Sequence, residues 1–281
     1  MTAQPDVLVE RHDSTMLLTL NRPARNNAIS GTMLQELVEA FDEAAQDDSV
    51  HVVVTAAAGP SFCVGADIDD FDSMKSLTAR EILSGSELGG QKGLRELTAD
   101  ERALDDLGNA GRWLERMWRL EKPTIAAVGG AAVGGGFGIA LLHDLIVASS
   151  SARLGAGFSK LGLAPEFGIS LLLPRIVGLS NATELLYTAR LIEAEEARSL
   201  GLVSQVVPDD ELLDSALALA DRIGSMPPVA LRATKRLLRA SMTRRMPEQL
   251  RAEHATHLVL FDHPETHAAL DRMVAKLTGR R

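Results

Sequence analysis

The chain has 281 residues, of which 46% are hydrophobic and 24% charged, the balance of a globular protein with a large, mainly aliphatic core. Its net charge of −9 argues against a broad basic face for nucleic acid. A lone cysteine, Cys63, rules out an internal disulfide framework, and the opening MTAQPDVLVERHD lacks the basic start and apolar run of a signal peptide. A reducing, cytoplasmic setting is the expectation.

Asp6–Glu10 and Thr15–Leu20 alternate apolar and polar residues, which predicts a strand pair turning at His12-Asp13-Ser14. From Gly31 the spacing of Leu34, Leu37, Val38 and Phe41 predicts an amphipathic helix. Val50–Thr55 is a β-branched run closed by Gly59-Pro60, and Thr124–Val128, Leu145–Ala148 and Val203–Val207 are further strand candidates. Strands alternating with helices predict an α/β protein with a mostly parallel sheet. Beyond residue 208 only helical patterns remain, so the expected division is an α/β core over 1–207 and a helical region over 208–281. The stretch 69–120 is long for a connection and reads either as a lid over a site or as a surface insertion.

Six glycines crowd VGGAAVGGGFGIA, residues 128–140. Residues 123–142 are long enough to span a bilayer and carry Gly130, Gly134 and Gly138 in GxxxG spacing. They are built from alanine and glycine and run straight into His143 and Asp144, so a buried strand–turn–helix is the better reading. The glycine spacing fits neither a dinucleotide fingerprint nor a P-loop. What such a turn does supply is backbone N–H groups at a helix start, where negative charge is favoured. The chain has no G-x-S-x-G elbow and no H-E-x-x-H. His254/His257 and His263/His267 could each share a helix face, but a polar surface is the simpler account, and no metal is expected. Asp67, Asp69, Asp70 and Asp72 lack the glycine and glutamate of a calcium loop.

Two stretches are more pointed. SFCVGADIDDF, residues 61–71, ends a strand at a small-residue turn. LGLAPEFGISLLLPRIVG, residues 161–178, holds Glu166 in an apolar window whose only other charge is Arg175. Desolvation there would raise the pKa of the carboxyl into a range useful for acid–base work, unless Glu166 is simply a loop residue after a proline.

These stretches resemble the crotonase superfamily, the enoyl-CoA hydratase/isomerase group. FCVGADIDDF looks like its F-x-x-G-A-D-[IL] turn, KPTIAAVGGAAVGGGFGIALLHDLIVAS like its glycine-rich segment, and LNRPARNNAIS like its opening motif. GLVSQVVP and PPVALRATKRLL are also similar. The resemblance implies a spiral of ββα units with a C-terminal helical trimerisation region, assembled as a homotrimer or a dimer of trimers. It implies an acyl-CoA thioester as substrate, with coenzyme A as part of that substrate and no further cofactor. By motif position, the N–H groups of Ala66 and Gly135 form the oxyanion hole. The Ala66-Asp67-Ile68 backbone meets the CoA adenine, and Arg22 and Arg25 are placed to reach its phosphates. Hydratases of the family are similar to one another in carrying two water-activating glutamates; here those places hold Gly138 and Phe158. Glu166 stands where single-carboxylate enoyl-CoA isomerases carry their base. The expected activity is therefore double-bond migration from 3-enoyl to 2-enoyl thioester. The alternatives are hydration through an unusual water site, another thioester reaction, or a non-catalytic acyl-CoA binder.

Overall fold

The computed structural model describes residues 4–67 and 108–278. Ile68 and most of the 69–120 stretch, with its lid reading, lie outside the described residues. Among the described residues the main sheet has six strands, in the order β1 (Val7–His12), β2 (Thr15–Leu20), β3 (Val52–Ala57), β4 (Thr124–Val128), β6 (Leu145–Ser149) and β9 (Gln205–Val207). Only the β1–β2 hairpin is antiparallel; every other neighbour pair is parallel. Strand β4 is buried along its whole length, as a parallel strand covered on both faces must be.

Period-two alternation sorts the sheet residues to two cores. Met16, Leu18 and Leu20 of β2 face α1 (Met33–Gln46), which presents Met33, Leu34, Leu37, Val38 and Phe41. On that side lie also Trp113 and Met117 of α2 (Gly108–Trp118). Leu17, Val52, Val54, Ile125 and Val147 face the opposite way, against Ala216, Leu219 and Ala220 of α7 (Leu212–Gly224). Strands end near residue 207, yet the first long helix after that point still packs on the sheet.

A second sheet of three strands was not expected from the sequence: β5 (Ala131–Val133), β7 (Arg153–Gly155) and β8 (Ile192–Glu193). These strands are only two or three residues long, so no local periodicity marks them. Strand β5 cuts the glycine-rich stretch in two. Gly129-Gly130 turns the chain out of β4, and Gly134 caps α3 (Gly135–Leu142). Helices α4 (Ile169–Val177) and α5 (Leu179–Thr188) follow β7, and α6 (Ala194–Ser199) follows β8. Among the described residues no helix is long and apolar enough to cross a membrane.

The C-terminal end comprises α8 (Pro228–Ser241), α9 (Met246–Phe261) and α10 (Pro264–Thr278). Helix α8 is tied to the core by charge. Lys235 Nζ lies 2.6 Å from Asp144 Oδ2 and donates to the Lys122 carbonyl at 2.6 Å, and the Arg239 guanidinium stacks 3.9 Å from the centre of the Trp118 ring. Helix α9 buries no residue at all and leaves Leu250, Leu258, Val259 and Phe261 exposed.

Candidate active site

The 61–67 turn is knitted to β5 by backbone bonds. Cys63 N–H donates to Ala131 O at 3.0 Å and Val133 N–H to Cys63 O at 2.9 Å. The turn therefore lies against the start of α3. A methyl at Gly136 would stand 2.1 Å from Cys63 O, and one at Gly65 would stand 2.9 Å from Val133 O and 3.3 Å from Gly135 N. Gly65 also has φ +90°, a conformation that L side chains rarely adopt. These glycines are required by close approach of two backbones.

That approach brings the two expected oxyanion donors together. Ala66 forms a parallel bridge with Ile29: Ile29 N–H donates to Gly65 O at 2.7 Å and Asp67 N–H to Ile29 O at 3.2 Å. In this alternating pattern the N–H of Ala66 is turned away from Ile29 and takes no acceptor among the described residues. Gly135 is the first residue of α3, so its N–H has no acceptor within the helix. Two donors on adjoining turns, one of them at the positive end of a helix dipole, are suited to an oxygen that gains charge during reaction.

Arg22 and Arg25 are close to this turn, but both engage Asp67. Arg25 Nε donates to Asp67 Oδ2 at 3.2 Å and its Nη2 pairs with Oδ1, while Arg22 Nη2 lies 3.5 Å from Oδ2. Arg22 also bonds the Ala28 carbonyl and lies 3.6 Å from Asp6. Asp67 is buried, so two cations surround a carboxylate that would otherwise be costly to desolvate. The cluster braces the segment carrying Ala66.

Glu166 immediately precedes Phe167, the residue that reaches α3. The Glu166 carbonyl accepts from Ile169 N–H at 3.2 Å, closing a four-residue turn in which Phe167 (φ +57°) and Gly168 (φ +72°) are both left-handed. Partial desolvation pushes the Glu166 carboxyl above its usual range, although the residue as a whole is exposed. Phe167 packs onto α3. A methyl at Gly138 would stand 2.3 Å from Phe167 Cβ, and one at Gly135 would stand 3.0 Å from Phe167 Cζ and 2.8 Å from Ile29 Cδ1. Phe158 is buried, with its ring tip near Gly134. Positions 138 and 158 are thus both buried among apolar groups.

Phe167 and Ile29, which flank Gly135, were not singled out from the sequence. A phenylalanine with positive φ has no local signature, and Ile29 reaches the site through a bridge formed across 37 positions of chain with Ala66. Other candidates have structural partners. Burial pushes the Cys63 thiol up to about 12, which makes it a poor nucleophile. His267 Nε2 bonds the Phe261 carbonyl at 2.6 Å, and His263 Nδ1 accepts from Glu265 N–H at 3.3 Å.

Comparison with known proteins bears on this geometry. The chain matches the family model described as enoyl-CoA hydratase/isomerase over residues 10–99 and 92–279. It is 35% identical over 238 residues to a short-chain-enoyl-CoA hydratase of Clostridium acetobutylicum, covering 84% of this chain and 82% of that protein. It is 32% identical over 247 residues to the 1,2-epoxyphenylacetyl-CoA isomerase of Escherichia coli, covering 88% and 87%. The crystal structure of an enoyl-CoA hydratase of Mycobacterium smegmatis superposes with a TM-score of 0.82 at 30% identity, covering 99% of this chain and 98% of that one.

Proposed function

The chain belongs to the enoyl-CoA hydratase/isomerase family, an enzyme family with the crotonase fold, and within it we propose that this member moves the double bond of a 3-enoyl-CoA thioester into conjugation. One observation supports the reading: Glu166 carries a carboxyl raised above its usual range and adjoins Phe167, whose ring reaches Gly135, while Gly138 and Phe158 hold the places where the family resemblance puts the two hydratase glutamates.

The chemistry needs a single carboxylate. The thioester oxygen accepts from the N–H groups of Ala66 and Gly135. Glu166 takes a proton from the α carbon, and the C–H electron pair enters the dienolate as negative charge builds on that oxygen. The protonated Glu166 then gives the proton to the γ carbon, and the double bond stands between α and β. Atoms and charge balance without water. The raised pKa of Glu166 makes it a stronger base once ionised and a usable acid after it has taken the proton. The hole contributes on the order of 3–4 kcal/mol per donor to the enolate-like transition state.

Coenzyme A is part of the substrate in this reading, with no other cofactor. The adenine would lie along Ala66, Asp67 and Ile68, and Arg22 and Arg25 would meet the phosphates from their bracing positions on Asp67. The unburied apolar residues of α9 support an interface with another chain, and a homotrimer or a dimer of trimers is the assembly this reading takes from the family resemblance. A cytoplasmic setting, with no nucleic-acid or membrane partner, completes the reading.

The test is conversion of 3-hexenoyl-CoA by the wild type and by Glu166→Gln, followed by the absorbance of the conjugated thioester. The variant should lose double-bond migration while holding the ligand with nearly unchanged affinity; full activity in Glu166→Gln rules out this role. Similarity to the Clostridium hydratase favours hydration as the second reading, and rapid loss of crotonyl-CoA absorbance would establish it. Ligand binding with no turnover of either substrate would leave a non-catalytic acyl-CoA binder.

A further inference from the structure

The ring of Phe167 has a position that packing alone does not require. The residue is only partly buried, it stands at the first central position of a turn with two left-handed residues, and its side chain lies along α3 from Gly138 to Gly135. Such turns favour glycine, asparagine or aspartate, and a bulky residue there costs on the order of 1–2 kcal/mol. A strained residue next to a reactive group is a reason to look for a role.

We propose that Phe167 is the specificity-determining residue of the site: its ring takes the space beside the oxyanion hole where water would otherwise stand, and so commits the enolate to proton return from Glu166. The inference rests on the isomerase reading. Three observations carry it. The Cβ and carbonyl of Phe167 close the space over Gly138, at 2.3 and 3.1 Å from where a side chain would begin. The ring tip and Ile29 Cδ1 both stand close to Gly135, at 3.0 and 2.8 Å from the same kind of point. Glu166 is the adjacent residue, so one turn presents both the base and the wall. Glu166 is exposed, and the acyl chain of the substrate would cover it. With Glu166 covered, the proton taken from the α carbon has the γ carbon as its acceptor and little solvent with which to exchange. Excluding water also strengthens the two N–H bonds to the enolate oxygen, because the local dielectric falls.

The experiment is isomerisation of 3-hexenoyl-CoA in D₂O by wild-type protein, Phe167→Ala, Phe167→Leu and Phe167→Gly, reading deuterium in the 2-hexenoyl product by mass spectrometry. Wild type and Phe167→Leu are expected to transfer the proton largely within the site and give a product low in deuterium. Phe167→Ala and Phe167→Gly should raise the deuterium content several-fold and lower kcat by up to about a hundredfold. The glycine variant accepts the left-handed backbone and keeps the test intact if Phe167→Ala fails to fold. A purely structural role would lower the rate without changing the isotope content. Equal deuterium content in wild type, Phe167→Ala and Phe167→Gly overturns the role of Phe167 alone. Absence of any isomerisation by the wild type overturns the isomerase reading, and this inference with it.

Discussion

Phe167 and a side chain at position 138 exclude each other: the Cβ that any residue other than glycine would place at 138 falls 2.3 Å from the Cβ of Phe167, nearer than real Cβ contacts come. The glycine is therefore a steric requirement of the phenylalanine, and a hydratase-type carboxylate at 138 needs more than one substitution.

Gly138→Ala should accordingly destabilise the protein by about 1–3 kcal/mol, the usual cost of overpacking a tight interior site. The clash is with Cβ, so Phe167→Ala cannot relieve it and Phe167→Gly can. In urea denaturation the double variant Gly138→Ala/Phe167→Gly should be more stable than the sum of the single effects predicts. Strict additivity would show that the two residues do not share this space.

Gly65→Ala probes the hole from its other side. The added methyl would stand 2.9 Å from Val133 O and 3.3 Å from Gly135 N, at a residue whose φ of +90° disfavours any side chain. The 61–67 turn must shift, and the N–H of Ala66 shifts with it. Turnover should fall by about 10²–10³-fold, the loss found when one oxyanion donor is misplaced. The measurement is kcat together with affinity for a saturated acyl-CoA, since ground-state binding should suffer much less.

The pH dependence follows from Glu166. Its carboxyl lies above the ordinary value of 4.5 because burial penalises the charged form. The reaction needs the ionised base, so the acid limb of the kcat profile should have its midpoint above 4.5 and vanish in Glu166→Gln. Stability runs the other way. Between 4.5 and the raised native value the folded state binds more protons than the unfolded one, so this group's contribution is full below 4.5 and fades as pH rises through the native pKa. Glu166→Gln should therefore not destabilise the protein at neutral pH, which thermal denaturation can check.

Local patterns foretold what depends on local patterns. Thr15–Leu20 and Thr124–Val128 read as strands over the same bounds that the structure shows, because their burial repeats along one element. Glu166 stood out because its own neighbours in sequence are apolar. What escaped depends on distant partners. Strand β5 exists because Cys63 bridges to Ala132 from 69 positions away on one side and β7 pairs with it from 22 positions away on the other. Arg22 and Arg25, read as phosphate ligands, also brace Asp67 from more than 40 positions away. The change to an all-helical pattern near residue 208 was legible, but that α7 packs on the sheet was not. A helix face of Ala216, Leu219 and Ala220 reads alike whether its partner is a sheet or another helix.

Asp144 and Lys235 give the last prediction. Burial pushes the Lys235 ammonium down to about 8, although Asp144 stands 2.6 Å away and favours the charge. Asp144 also accepts from Thr124 N–H at 2.8 Å and Oγ1 at 2.9 Å, and it faces Arg239 at 3.4 Å. Asp144→Asn would leave a buried ammonium without its counter-charge, at a cost of about 3–5 kcal/mol. Lys235→Met keeps the volume, removes the desolvated charge and leaves Asp144 with Arg239 and Thr124, so its cost should be distinctly smaller. Between about 8 and the ordinary 10.5 the unfolded chain holds the lysine proton that the native state has released, so this group favours folding more as pH rises across that window. Urea denaturation of wild type and Lys235→Met from pH 7 to 10 should show that rising component in the wild type alone; an identical slope in both proteins would remove Lys235 as its source.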